Sequence, residues 1–336
     1  LFHLKNNGIG VPLVLDKIPN HGHDAVVLFF VLSGYVIAAT VDRKKIFGWK
    51  DYFLDRAARV YSVALPTLVL CAVVAVAISA LNFSSGSSEV ISGLLTSSLI
   101  NLVFMGQSWQ LEEWVAYNQP YWSLCYEVMY YALFGVAVFA KGFWRWGGLL
   151  LVALLAGPKV LLLLPCWLMG VAAYHWRDKW PLSWQMAVLV GFVLPPLFLV
   201  LLNKLGFGPT VRQFLDDLVV NRKDTLEFSA DFLIDYVTAI LVAVNLYAAR
   251  FLPLQFPAVI TSFFRKGAAM SFTLYLMHMP MIYMIINFVG EKRHSMLWFV
   301  LAALGVPLLC FFMSQFTEFK RANVRNWLAT RIFSLS

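Results

Sequence analysis

The chain has 336 residues, of which 60% are hydrophobic, 16% aromatic and 13% charged, with a net charge of +8. A water-soluble domain carries about 25% charged residues, so this chain cannot cover a water-facing surface, and its apolar content equally excludes disorder. One bilayer crossing uses about 20 apolar residues. The apolar content therefore predicts an all-α, polytopic integral membrane bundle of on the order of ten transmembrane helices.

The chain opens in Leu1-Phe-His3-Leu4, which is apolar and has neither a basic leader nor a cleavage site, so it does not read as a signal peptide. It reads instead as the end of a truncated first membrane helix. Runs free of Asp, Glu, Lys and Arg then predict spans over 25–41, 60–88, 90–111, 128–140, 146–158, 160–176, 181–203, 236–249, 267–290 and 295–317. The second of these is too long for one crossing, and its turn-like end from Asn82 to Ser88 predicts a helix stop near Leu81. The short run 146–158 closes on Gly157-Pro158, which predicts a tight hairpin with the run that follows. Residues 318–336 interleave Arg and Lys with Trp327, Leu328, Ile332 and Phe333 and predict a basic amphipathic tail on the inner leaflet. The bundle itself is assigned to residues 1–317.

Basic residues set the orientation, because cytoplasmic loops are enriched in them. The loop 42–59 carries Arg43, Lys44, Lys45, Lys50, Arg56 and Arg59, which places it inside. Following the parity of spans from there puts 17 of the 26 Lys and Arg residues inside. That parity holds only if 90–111 fails to cross, so a re-entrant or interfacial helix is predicted there. No internal repeat is visible, which leaves inverted-repeat transporter architectures without support. Cys71, Cys125, Cys166 and Cys310 all lie in apolar runs without metal-ligand spacing and read as packing residues.

Polar groups at membrane depth are costly, so each one asks for a reason. Arg56 and Arg59 are three residues apart on one helix face, where two guanidinium forks form a site for phosphate oxygens. Anchoring to anionic lipid is the plainer alternative. His278 lies inside the run 267–290 and is either a proton-transfer group or a core residue bonded to a neighbour. Pro280 frees the carbonyl of Leu276 from its helical partner, which makes a local acceptor available. Glu127, amid Tyr121, Trp122, Tyr126, Tyr130 and Tyr131, either handles protons, orients a histidine, or is half of a buried ion pair with an arginine. His3, with His21, His23 and Asp24, completes the set. Adjacent loop residues seldom converge on one ion, so no metal site is predicted. Walker, GxGxxG and GxSxG patterns are missing from the sequence, and no nucleic-acid partner is expected.

Four strings occur in a telling order: Phe29-Phe30-Val-Leu32-Ser33-Gly34-Tyr35; Arg56-x-x-Arg59-x-Tyr61; Trp122-Ser-Leu-x-x-Glu127-x-x-Tyr130-Tyr131; and Ser271-x-x-Leu-Tyr275-Leu-x-His278-x-Pro280. Together they resemble the membrane-bound acyltransferase 3 family over nearly the whole chain. The resemblance implies an O-acyltransferase of the bacterial inner membrane that takes an acyl group, usually acetyl, from cytoplasmic acyl-CoA. The acceptor is then a hydroxyl of an envelope or exported polysaccharide. It also implies His3 as base or transient acyl carrier, since Phe2-His3 matches the His end of a family motif whose Arg would fall upstream of Leu1. Arg56 and Arg59 would hold the CoA phosphates, and Glu127 and His278 would handle protons. Ser33-Gly34 is assigned to close helix packing. Two other readings use the same buried groups: a transporter or flippase of envelope intermediates, and a catalytically inactive membrane partner.

Overall fold

The computed structural model describes residues 2–6, 9, 22–43, 48–81, 87–290 and 294–332; His21 and the turn after Leu81 lie outside the described residues. The elements follow the apolar runs. α1 is the short piece Phe2–Asn6, and α2 spans Gly22–Arg43, α3 Trp49–Leu81 and α4 Ser87–Leu102. α5 spans Tyr121–Phe139 and α6 Gly142–His175. α7 (Trp184–Val188), a π turn (Leu189–Val193) and α8 (Leu194–Lys204) form one continuous apolar segment. α9 (Phe207–Leu218) and α10 (Arg222–Leu226) lead into α11 (Phe232–Ala249). α12 (Ala258–Val289), α13 (Met296–Ser314) and α14 (Arg321–Ile332) complete the chain. Eight helical segments among the described residues are long and apolar enough to cross a membrane, and large apolar side chains such as Val69, Leu197 and Phe263 are exposed on the outside, as contact with lipid requires. The protein is a multi-pass integral membrane helix bundle.

α6 is two arms folded at Gly157, whose φ of 79° only glycine adopts freely. A Cβ there would meet the backbone nitrogen of Trp109 at 2.6 Å. The first arm starts where α5 ends and packs Gly148 on Val136. The second arm returns, with Tyr174 donating to Asp42 at the last turn of α2. Both arms therefore begin and end at the Asp42 side of the bundle, and the dipeptide Gly157-Pro158 makes the predicted hairpin.

α4 does not cross. Its final carbonyls, on Asn101 and Leu102, accept from Tyr121 and Tyr61 at 3.2 Å, and Tyr61 lies 12 residues, about 18 Å, along the 33-residue α3. The chain then climbs back through the irregular stretch 103–120, held by Asn101 Nδ2 donating to the Glu113 carbonyl. This is the re-entrant geometry that the charge parity demanded.

Helix contact in the core is set by small residues. A Cβ on Gly34 would sit 2.1 Å from the Trp167 carbonyl oxygen, and one on Gly170 would sit 1.9 Å from that of Val31. α2 and the second arm of α6 thus touch backbone to backbone, as assigned to Ser33-Gly34. Prolines inside helices leave carbonyls without helical partners, and at two of them an asparagine answers. Asn118 Nδ2 donates to Leu276 O (2.8 Å) opposite Pro280, and Asn245 Nδ2 donates to Gly191 O (2.9 Å) opposite Pro195.

Residues 318–332 pack back onto the bundle. Buried Glu318 accepts from the Thr273 amide and hydroxyl, and Arg325 on α14 bridges Asp51 and Asp55 at the start of α3 at 2.7 and 2.6 Å. The four cysteines are free and buried.

Candidate functional site

Asp42, Ser33 and His23 on α2 mark three levels of the bundle, each about 14 Å from the next. Arg56 and Arg59 project from the second and third turns of α3, on the Asp42 side of the Ser33 level, the side that the basic residues predict to be cytoplasmic. The Arg56 guanidinium lies 5.8 Å from the ring centre of Tyr131, and that of Arg59 lies 5.8 Å from Phe272. Arg56 Nε is buried with no hydrogen-bond partner. Both arginines interact electrostatically with Glu127, and Arg59 also with Glu318. The pair is therefore held inside the bundle beside Glu127, with Arg56 Nε a donor to spare.

The middle level belongs to Glu127, which is 3% exposed. Its Oε1 accepts from Ser33 Oγ at 2.6 Å and from the Tyr131 hydroxyl. Trp167 Nε1 in turn donates to Ser33 Oγ at 3.2 Å, and the Tyr52 hydroxyl donates to the Tyr131 carbonyl at 3.0 Å. Glu127 leans on hydroxyls and on the field of two arginines, which is neither a direct ion pair nor a histidine clamp. Ser33 is the residue that sequence reasoning misplaced. It was assigned with Gly34 to packing, but its hydroxyl belongs to the polar cluster, one residue beside the contact that Gly34 makes.

His278 lies on α12, five residues beyond Thr273. Its Nδ1 is 2.8 Å from the Tyr275 carbonyl and 3.0 Å from that of Leu274. Both partners are acceptors, so Nδ1 carries the hydrogen and Nε2 keeps the lone pair. His3 faces it with ring centres 5.0 Å apart. The Leu276 carbonyl freed by Pro280 goes to Asn118, and His278 takes carbonyls from its own preceding turn. Tyr275 links the levels, because its hydroxyl meets Ser123 Oγ at 2.6 Å and its ring stacks on Phe29 at 5.6 Å. Ser123 lies one helical turn from Glu127 on α5.

The structure thus gathers Arg56, Arg59, Glu127, His278 and His3 into one polar column between α1, α2, α3, α5 and α12. The His23 level carries charges that the sequence reading passed over. His23 Nε2 bonds Asp235 Oδ1 at 3.0 Å, and Lys159, fully buried, bonds Glu227 Oε1 at 2.5 Å. Lys159 separates two apolar runs and Asp235 ends the stretch before another, so each looked like a boundary. Among the described residues no group of three His, Cys, Asp or Glu side chains has metal-binding geometry.

An acyltransferase-domain family model matches residues 6–315. The chain belongs to the acyltransferase 3 family. The acyltransferase match spans α2 through α13 with the whole Arg56 to His278 column, and His3 lies just ahead of it. No curated protein and no solved structure matches the chain.

Proposed function

We propose that this membrane acyltransferase carries an acyl group, acetyl in the first instance, from cytoplasmic acyl-CoA to a hydroxyl of an envelope or exported polysaccharide, in a bacterial inner membrane. The observation that supports this most is an arginine pair beside Glu127, on the side predicted to be cytoplasmic, in one polar column with two facing imidazoles. Arg56 and Arg59 hold the donor's phosphates by forked hydrogen bonds, with the spare Arg56 Nε available for one of them. The pantetheine arm then directs the thioester past Glu127 and Ser33 toward His3 and His278.

An imidazole takes the proton of the acceptor hydroxyl as its oxygen attacks the thioester carbon. The C–O bond forms, the C–S bond breaks, and the same proton passes to the departing CoA sulfur. His3 is assigned the base, with transient acylation of its ring as the two-step variant. His278, whose Nδ1–H is fixed on backbone carbonyls, presents Nε2 toward the column as its proton partner. Glu127 keeps Ser33 and Tyr131 oriented and balances the arginine charge when no phosphate is bound.

The test uses the full-length protein in detergent with radiolabelled acetyl-CoA and envelope glycan. Wild type releases CoA and labels the glycan, and His3→Ala lowers that rate about 100- to 10,000-fold, the usual span for a general base. If CoA neither binds nor turns over, the transporter or inactive-partner reading replaces this one.

A further inference from the structure

The charges at the His23 level do nothing for the donor. They lie about 28 Å along α2 from Asp42, and a membrane protein retains buried ionic groups at a cost unless something uses them. Two separate ion pairs there are each incomplete. Asp235, 2% exposed, bonds His23 through Oδ1, but its Oδ2 is buried without a partner. Glu227 bonds Lys159 through Oε1, and its buried Oε2 has no donor beyond the neighbouring Glu112 carboxyl. One aromatic stack joins the pairs. Trp122 lies parallel to His23 with centres 6.4 Å apart and parallel to Phe228, the neighbour of Glu227, at 3.9 Å. Trp114, 37% exposed, meets Phe228 edge-on at 5.5 Å.

We propose that this cluster is the binding subsite for the acceptor and selects a neutral, polyhydroxylated glycan. The inference rests on the acyl-transfer reading above and names the class of its acceptor. Sugar hydroxyls are donors, and these two carboxylate oxygens are acceptors for them. Sugar rings also present apolar C–H faces, for which the exposed Trp114 and half-buried Phe228 are suited, with buried Trp122 backing Phe228. The cations of the cluster are already engaged. Lys159 is held by Glu227, Arg222 by Asp216 and Asp231, and Arg212 by Asp231, while Asp24, Asp231 and Asp235 act on His23 and Glu112 acts on Glu227, so a phosphate or uronate group meets paired cations and acidic neighbours. The subsite therefore differs in character from the arginine pair, and donor and acceptor are separated along one column.

The test measures acceptor and donor saturation separately in the full-length protein reconstituted in nanodiscs. Donor is radiolabelled acetyl-CoA, and acceptors are the neutral and the uronate-rich fractions of envelope glycan. Asp235→Asn and the exposed-site variant Trp114→Ala should each raise the neutral-glycan concentration for half-maximal labelling at least fivefold. Both should leave half-saturation by acetyl-CoA within twofold, and that retained CoA response also shows the variants are folded. Unchanged acceptor saturation in both variants, equal loss toward donor and acceptor, or wild-type preference for the uronate-rich fraction overturns the proposal. Wild type that fails to bind acetyl-CoA overturns the acyl-transfer reading itself, which is a different result.

Discussion

Arg325 bonds Asp51 and Asp55, whereas Arg56 and Arg59 act on the buried acid Glu127 without bonding it, and Arg56 Nε is buried with no partner. Replacing both by alanine should raise the acyl-CoA concentration for half-maximal turnover by about tenfold or more, given about 1.5–3 kcal/mol for a hydrogen bond to a charged group. Arg56→Lys should recover only part of this, since an ammonium keeps the charge and loses the fork. A saturation curve that does not move in the double variant removes the phosphate role. Glu127→Gln keeps the shape but halves the acceptor capacity offered to Ser33 and Tyr131, so turnover should fall more than acyl-CoA affinity does. At this scale the sequence was legible where a lone polar residue interrupts an otherwise apolar run, as His278 and Glu127 do. It was not legible for Asp235 and Lys159, because a charge at the margin of a run looks like solvent-facing punctuation until a neighbouring helix is seen to cover it.

Helices in lipid lack a hydrophobic drive to associate and rely on close fit, which is what Gly34 and Gly170 supply between α2 and α6. Gly170→Ala forces a methyl against the Val31 carbonyl, with no flexible side chain to yield, and should cost about 1–3 kcal/mol. Thermal unfolding in detergent should show the loss, whereas Gly147→Ala, where a Cβ meets nothing within 4 Å, should leave the midpoint near wild type. The hairpin of α6 was readable because Gly157-Pro158 breaks the helix by backbone geometry alone. The re-entrant α4 was readable only through charge parity, since its composition matches that of a crossing helix. The asparagine clamps on Leu276 and Gly191 depend on contacts between residues 158 and 54 positions apart, and no local pattern announces them.

Across the whole molecule, the arginine pair and the acidic aromatic cluster lie at different depths of one column, and the Lys and Arg distribution predicts that the arginine side is the cytoplasmic one. α14 is clasped to the same end through Arg325, so Arg325→Ala should loosen the start of α3 and weaken acyl-CoA binding with little effect on acceptor saturation. The folded-back α6 has a further physical consequence. Its arms rise only about 22 and 27 Å even when upright, less than the roughly 30 Å of hydrocarbon they stand in. Exposed Phe143, Trp144 and Trp146 anchor the foot of the first arm near the headgroups. The tip at Gly157, covered by Trp109, therefore stops short of the far leaflet's surface, and the bilayer must thin beside the exposed Leu154 and Leu155 just below it. Lys159 and Glu227 sit beside that tip, under the thinnest part of the film. Turnover should consequently be higher in vesicles of 14-carbon than of 20-carbon lipids, with the enzyme itself setting how far the outside water reaches down toward the reacting groups.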